Sequence, residues 1–242
     1  GEEAINGFFW RDKSRKSIVH YIHQSREQFY MMAMESLLDT QPEHKDRSRW
    51  DESVHLYAEY ILSIFDYTAP YNMIPSGIYH IDEPSDTEAF YALHLFPPAD
   101  ARERYDRQIR KGIRITDEFY IKRFPIWFNI FNGNNAIILS TAKAAAICGN
   151  ILNDRRLKEI ALYQLYWIAG RNPFNQSMIY GEGAYYPPMD SFSSGEIIGA
   201  IPVGIKTVGD EDVPCWPQTT NACYKEVWVT SAGKWLSLLS EL

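Results

Sequence analysis

Apolar residues recur at helical spacing over most of the chain, which predicts a largely helical protein. From Gln24 to Leu38 the positions Phe29, Met32 and Leu37 follow that spacing, and the polar run from Pro42 to Asp46 ends it. From Asp51 to Phe65 a second stripe forms from Val54, Tyr57, Ala58, Ile61 and Leu62, with Ser48 or Asp51 placed to cap its start. A short polar link between two such helices predicts an antiparallel helical hairpin. Residues 68–100 break the pattern with proline-rich text such as "APYNMIPSG" and "LFPPAD", and read as a long loop or a small irregular insert.

Helical text returns near Ala101 and runs toward Phe124, where Pro125 stops it. The stretch "GNNAIILSTAKAAAICGN" predicts a helix capped by Asn134 or Asn135, closely packed through its alanines and stopped at Gly149-Asn150. A further helix spans Asp154 to Ala169 and ends at Gly170. Residues 170–222 have no helical period, and the last helix runs from Tyr224 to Leu242 with Trp228, Ala232, Trp235, Leu239 and Leu242 on one face. No internal repeat or low-complexity tract is present. Helical hairpins with long loops at one end predict an all-α fold, an (α/α) toroid or a large part of one, in a single domain over residues 1–242.

Composition narrows the classes of function. The chain of 242 residues is long enough for one substantial core. Its net charge is −7 and its Lys and Arg do not cluster, which argues against a nucleic-acid partner. No apolar run reaches the ~18 residues of a membrane span. Cys148 lies in apolar helical text, while Cys215 and Cys223 flank "WPQTTNA" and form either a short disulfide loop or two separate thiols. No cysteine spacing suits zinc, and no metal or other cofactor is expected. The chain opens at Gly1 without an initiator Met or signal peptide, which fits a processed start or a piece of a longer protein.

Aromatic residues are 14% of the chain, and many follow the helix that ends at Gly170: Tyr185, Tyr186, Phe192, Trp216, Tyr224 and Trp228. Sugar rings offer apolar C–H faces to such rings, although packing in the core would also use them. The stretch "WIAGRNPFNQSMIYGEG" (167–183) concentrates hydrogen-bonding groups at one helix end. Gly170 can close the helix, Pro173 stiffens the turn, and Asn172 and Asn175 can satisfy backbone groups, which describes a structural corner. In a functional reading Arg171 and Tyr180 face the rim of a cleft. A second polar cluster, "HYIHQSREQ", puts His20, His23 and Glu27 on one face of a helix with Arg26 beside them. It suits a patch for sugar or uronate, or a polar helix start with Arg26 paired locally.

The order of a helix, "GRNPFNQSMIYGEG", "GAIPVG" and "NACYKEVWVTSAGKWLSLLSEL" resembles the C-terminal end of glycoside hydrolase family 9 and related six-hairpin glycosidases. Gly170, Asn172, Pro173 and Ser177 match the first motif; Glu226-Val227 and Ala232-Gly233 match the second, over roughly residues 133–242. The family's paired His-His-Arg and its early Asp-Ala-Gly-Asp have no counterpart, and "YYPPMDSFSSG" fills the interval of the former.

The resemblance implies a secreted or periplasmic glycoside hydrolase acting on a polysaccharide or oligosaccharide, inverting by analogy, with Glu226 as general acid. Glu226 is expected in the first turn of the last helix, where the dipole favours a carboxylate with or without catalysis. Inversion needs a second carboxylate about 6.5–9.5 Å away. Candidates are Glu182 and Asp190, then Glu27 and Glu196, or a base on a further N-terminal segment or chain that completes the barrel. Substrate contacts are expected from His20, His23, Arg26, Arg171, Tyr180, Tyr185, Trp216 and Tyr224. The competing readings are a polysaccharide lyase, with Tyr180 or His23 as base and Arg26 or Arg171 neutralising a uronate, and a non-catalytic glycan-binding scaffold.

Overall fold

The computed structural model describes residues 5–20, 25–93, 97–126, 128, 133–186, 197–215, 226–227 and 229–242. In chain order its elements are α1 (Gln28–Thr40), α2 (Arg47–Phe65), β1 (Gly77–His80), α3 (Thr87–Leu93), α4 (Ala101–Arg110), β2 (Ile113–Arg114), β3 (Phe119–Lys122), α5 (Asn135–Ile151), α6 (Arg155–Ile168), β4 (Lys206–Thr207), β5 (Pro214–Cys215) and α7 (Val229–Leu239).

Helix α5 is the axis of the larger core. Every residue from Asn135 to Gly149 is buried, and α1, α2, α6 and α7 pack around it. Its alanines let neighbouring backbones approach closely. Gly149 lies inside the helix, two residues before its end, where a β-carbon would stand 3.0 Å from the Asp154 carbonyl oxygen and from Lys158 Cγ. Helix α6 starts as the sequence predicts, because the Asp154 carboxylate accepts from the Arg156 N–H at 2.8 Å. In α2, Asp46 takes the cap position without a side-chain hydrogen bond, so Ser48 and Asp51 fall within the helix.

The all-α toroid expected from the periodicity is not what the chain forms. Strands β1, β3 and β2 make an antiparallel sheet in that order, with Ile78 opposite Ile121 and Ile113 opposite the same residue on the other side. Helix α4 covers β3, and a second core of Tyr79, Phe90, Tyr105, Ile109, Tyr120 and Ile126 lies on this side of the molecule. The architecture is therefore mixed. The helix expected from Ala101 toward Phe124 ends at Arg110, and "IRITDEFYIK" folds back as a hairpin. Its β-branched and aromatic residues suit a pleated surface better than a helix. The insert at 68–100 contributes β1 and α3.

Two helices also turn a different face inward. On α1 the buried residues are Gln28, Met31 and Leu38, while Phe29 and Met32 are exposed. On α7 they are Ser231, Lys234 and Leu238, while Leu239 is exposed and Trp235 half-buried. The polar groups on the two faces meet one another and α5: Gln28 of α1 pairs with Ser140, and Lys234 of α7 donates to Gln28.

Candidate functional site

Two regions gather the residues that the sequence singles out. The first is a loop layer at the N-terminal end of α5. Gly170 ends α6 at φ +128°, a conformation that a side chain would strain. Asn172 then organises the corner: its Nδ2 donates to the carbonyls of Trp167 (2.8 Å) and Gln176 (2.9 Å), and its Oδ1 accepts from the Phe174 N–H at 3.1 Å. From there the chain is tied to the "GAIPVG" segment. The Tyr180 N–H donates to the Ala200 carbonyl at 3.0 Å, and the Gly199 N–H to the Tyr180 carbonyl at 2.8 Å.

The same segment reaches α5 and Glu226. The Val203 N–H donates to the Glu226 carbonyl at 2.9 Å, and Pro202 bridges Val227. The Asn135 N–H donates to the Val203 carbonyl at 3.0 Å, Asn135 Nδ2 to the Pro202 carbonyl at 3.0 Å, and the Ile205 N–H to Asn134 Oδ1 at 3.3 Å. Gly204, at φ +115°, sits so close that a β-carbon would lie 2.8 Å from Asn134 Oδ1. Asn134 takes the cap position of α5, as expected, but makes no side-chain cap bond and uses its side chain to hold this loop.

The expected site residues separate within this layer. Glu226 is half-buried and lies in extended chain ahead of α7, not in a helical first turn, because its backbone pairs with Val203. The dipole argument for its charge therefore does not apply. Glu182 is exposed in the turn after Tyr180. Tyr180 is buried, edge-on to Tyr186 at 5.3 Å, so it is not a rim residue; Tyr185 is 70% exposed. Arg171 lies 5.2 Å over the Tyr163 ring on α6. Asp190, Glu196, Phe192, Trp216, Tyr224, Trp228 and Cys223 lie outside the described residues.

The second region surrounds the N-terminal cluster. His20 lies in extended chain, and α1 begins only at Gln28, so the single helical face expected for His20, His23 and Glu27 does not form; His23 lies outside the described residues. His20 and Glu27 nevertheless line one cavity of about 20 Å³, with Phe8, Phe9, Tyr60 and Ser76 among its other walls. That is room for about one water molecule, not for a sugar. Arg26 is exposed.

His20 Nε2 stands 2.7 Å from Glu83 Oε2, and its ring stacks on Tyr79 at 3.9 Å between centroids. Glu83 also accepts from the His80 N–H at 2.8 Å. Burial pushes the Tyr79 and Tyr105 hydroxyls well above the usual tyrosine range, with the Glu83 charge adding to it. Glu83 escaped sequence reasoning because "DEPSD" reads as a solvated acidic loop.

Glu27 is held by the Tyr57 hydroxyl, which donates to Oε1 at 2.7 Å, and the Thr141 hydroxyl, which donates to Oε2 at 2.5 Å. Burial pushes its carboxyl up, while the two hydroxyls and Lys234 oppose the shift. Lys234 Nζ donates to Gln28 Oε1 at 3.0 Å, and its ammonium is pushed down to about 8, first by burial and then by the charge of Arg26. Enclosed and saturated with protein donors, Glu27 and Glu83 hold the fold together at this end and do not face a substrate-sized space.

Among the described residues, no group of three His, Cys, Asp or Glu could hold a metal ion, and no helix is long and apolar enough to cross a membrane. Comparison with protein-family models and with characterised proteins finds no match.

Proposed function

We propose that the protein is a glycoside hydrolase of a secreted or periplasmic setting, acting on a polysaccharide or oligosaccharide, with Glu226 as the proton donor to the leaving oxygen. One observation carries this reading. Three stretches that resemble parts of one glycosidase site, the corner at 170–183, "GAIPVG" and Glu226-Val227, are joined by backbone hydrogen bonds into one layer at the end of α5. Loops clustered on a rigid helical scaffold are a usual place for a binding site. Glu226 is half-buried there. Inversion then requires a second carboxylate to activate water from the opposite side, and Glu182 and Asp190 are the candidates that the sequence offers.

Glu226→Gln keeps the side-chain shape and removes the transferable proton. Turnover of a glycan panel, read as new reducing ends, should fall by about 10²–10⁴-fold. Near-normal turnover would remove Glu226 from the mechanism, and products absorbing in the ultraviolet as unsaturated uronates would move the protein to the lyases. A binding-only domain is the second reading. It is favoured because, among the described residues, no hydrogen bond or ion pair joins the Glu226 carboxylate to another group, and Glu182 is exposed. Glycan binding without any product would support it.

A further inference from the structure

A cavity of about 310 Å³ lies between the corner after α6, the turn after α2 and the end of β3. Phe124, Trp167, Tyr71, Met73, Pro173 and Pro214 give it apolar and largely flat walls, and Arg123 and Asp212 supply its polar edge. Tyr71 and Val213 are exposed and line its opening side.

Its charge distinguishes it from a packing defect. Asp212 accepts from the N–H of Arg123 at 2.9 Å and of Phe124 at 3.1 Å, and pairs with the buried Lys122 ammonium at 3.2 Å. The Arg123 guanidinium stands 3.6 Å from the same carboxylate, beyond hydrogen-bond distance. One carboxylate thus faces two cations, and the nearby Glu211 is engaged by Lys111 at 2.7 Å. Among the described residues the Arg123 side chain makes no hydrogen bond, so its planar fork is available to an anion.

We propose that this cavity binds a single ring that carries a carboxylate, with the acid group on Arg123 and the ring against the exposed walls Tyr71 and Pro173. The volume is at the low end for ligand sites, which suits one ring and not a chain. Uronic acids and aromatic acids share this chemistry. Glu226 plays no part in it, so failure here leaves the hydrolase reading untouched, and the reverse.

The test is calorimetric titration of the full chain with glucuronate, benzoate and glucose. Saturable binding of an acid, with glucose at least about tenfold weaker, is expected. Arg123→Gln should weaken the acids about tenfold or more and remove their advantage over glucose. Tighter binding of glucuronate assigns the cavity to uronic acids, and tighter binding of benzoate to aromatic acids. Val213→Trp, at an exposed position, should block either ligand without unfolding the protein. Glucose binding as well as glucuronate, acid binding unchanged in Arg123→Gln and Val213→Trp, or no saturable heat with either acid at millimolar concentrations overturns the proposal.

Discussion

Glu27 offers a sharp test of the polar face on which α1 meets α5. Burial raises its carboxyl from the ordinary value of 4.5, so over the window from 4.5 up to its folded value the native state holds a proton that the unfolded chain lacks. Stability must then fall as pH rises through that window, by up to ~1.4 kcal/mol per pH unit for one proton. Lys234 works in the opposite direction at higher pH. Its ammonium is lowered from 10.5 to about 8, so between those values the unfolded chain holds the extra proton and stability climbs with pH.

Glu27→Gln removes the lower slope and leaves the upper one. Its amide must present N–H to one of two hydroxyls that now donate to carboxylate oxygens, which should cost about 1 kcal/mol at low pH. Glu27→Ala strands both the Tyr57 and Thr141 hydroxyls, at ~1–3 kcal/mol each, before any cavity cost. Urea unfolding followed by circular dichroism, repeated across both pH windows, measures all three proteins. The Gln variant should gain on the wild type as pH rises from 4.5 toward neutrality. A constant difference across that range would show that Glu27 does not change protonation on folding, and the reasoning from burial would fail.

Glu83→Ala leaves His20 and the His80 N–H without their shared acceptor, and should cost about 1–3 kcal/mol for each group left unpaired, by the same unfolding measurement. Gly204→Ala forces a β-carbon against Asn134 at an unfavourable φ, so it should cost ~1–3 kcal/mol and, on the hydrolase reading, lower turnover by loosening the layer that holds Glu226. Full turnover in a destabilised Gly204→Ala protein would separate that loop from the chemistry.

Local rules carry the helices of the bundle. The stripe at Val54, Tyr57, Ala58 and Ile61 is buried as its spacing predicts, the Asp154 cap is made, and the corner at Gly170 closes through Asn172. Each depends on contacts within a few residues, or on a face that any core would bury. Features that needed distant partners were not legible in the same way. Phe29 and Met32 have helical spacing, yet α1 turns Gln28 inward because Ser140 and Lys234 wait there, brought from over a hundred residues away. "FYIK" pairs with "IR" a few residues earlier on one side, and on the other with "GIYH", some forty residues earlier, which local spacing does not specify. Glu226 leaves the last helix because the Val203 N–H claims its carbonyl. The single residue types at these places are compatible with several local conformations, and pairing across the chain chooses among them. The sequence by itself determined where α1, α2, α5 and α6 lie; tertiary pairing decided the sheet, the inward faces of α1 and α7, and which acids are sealed from water, since burial and charge depend on neighbours that no local spacing specifies.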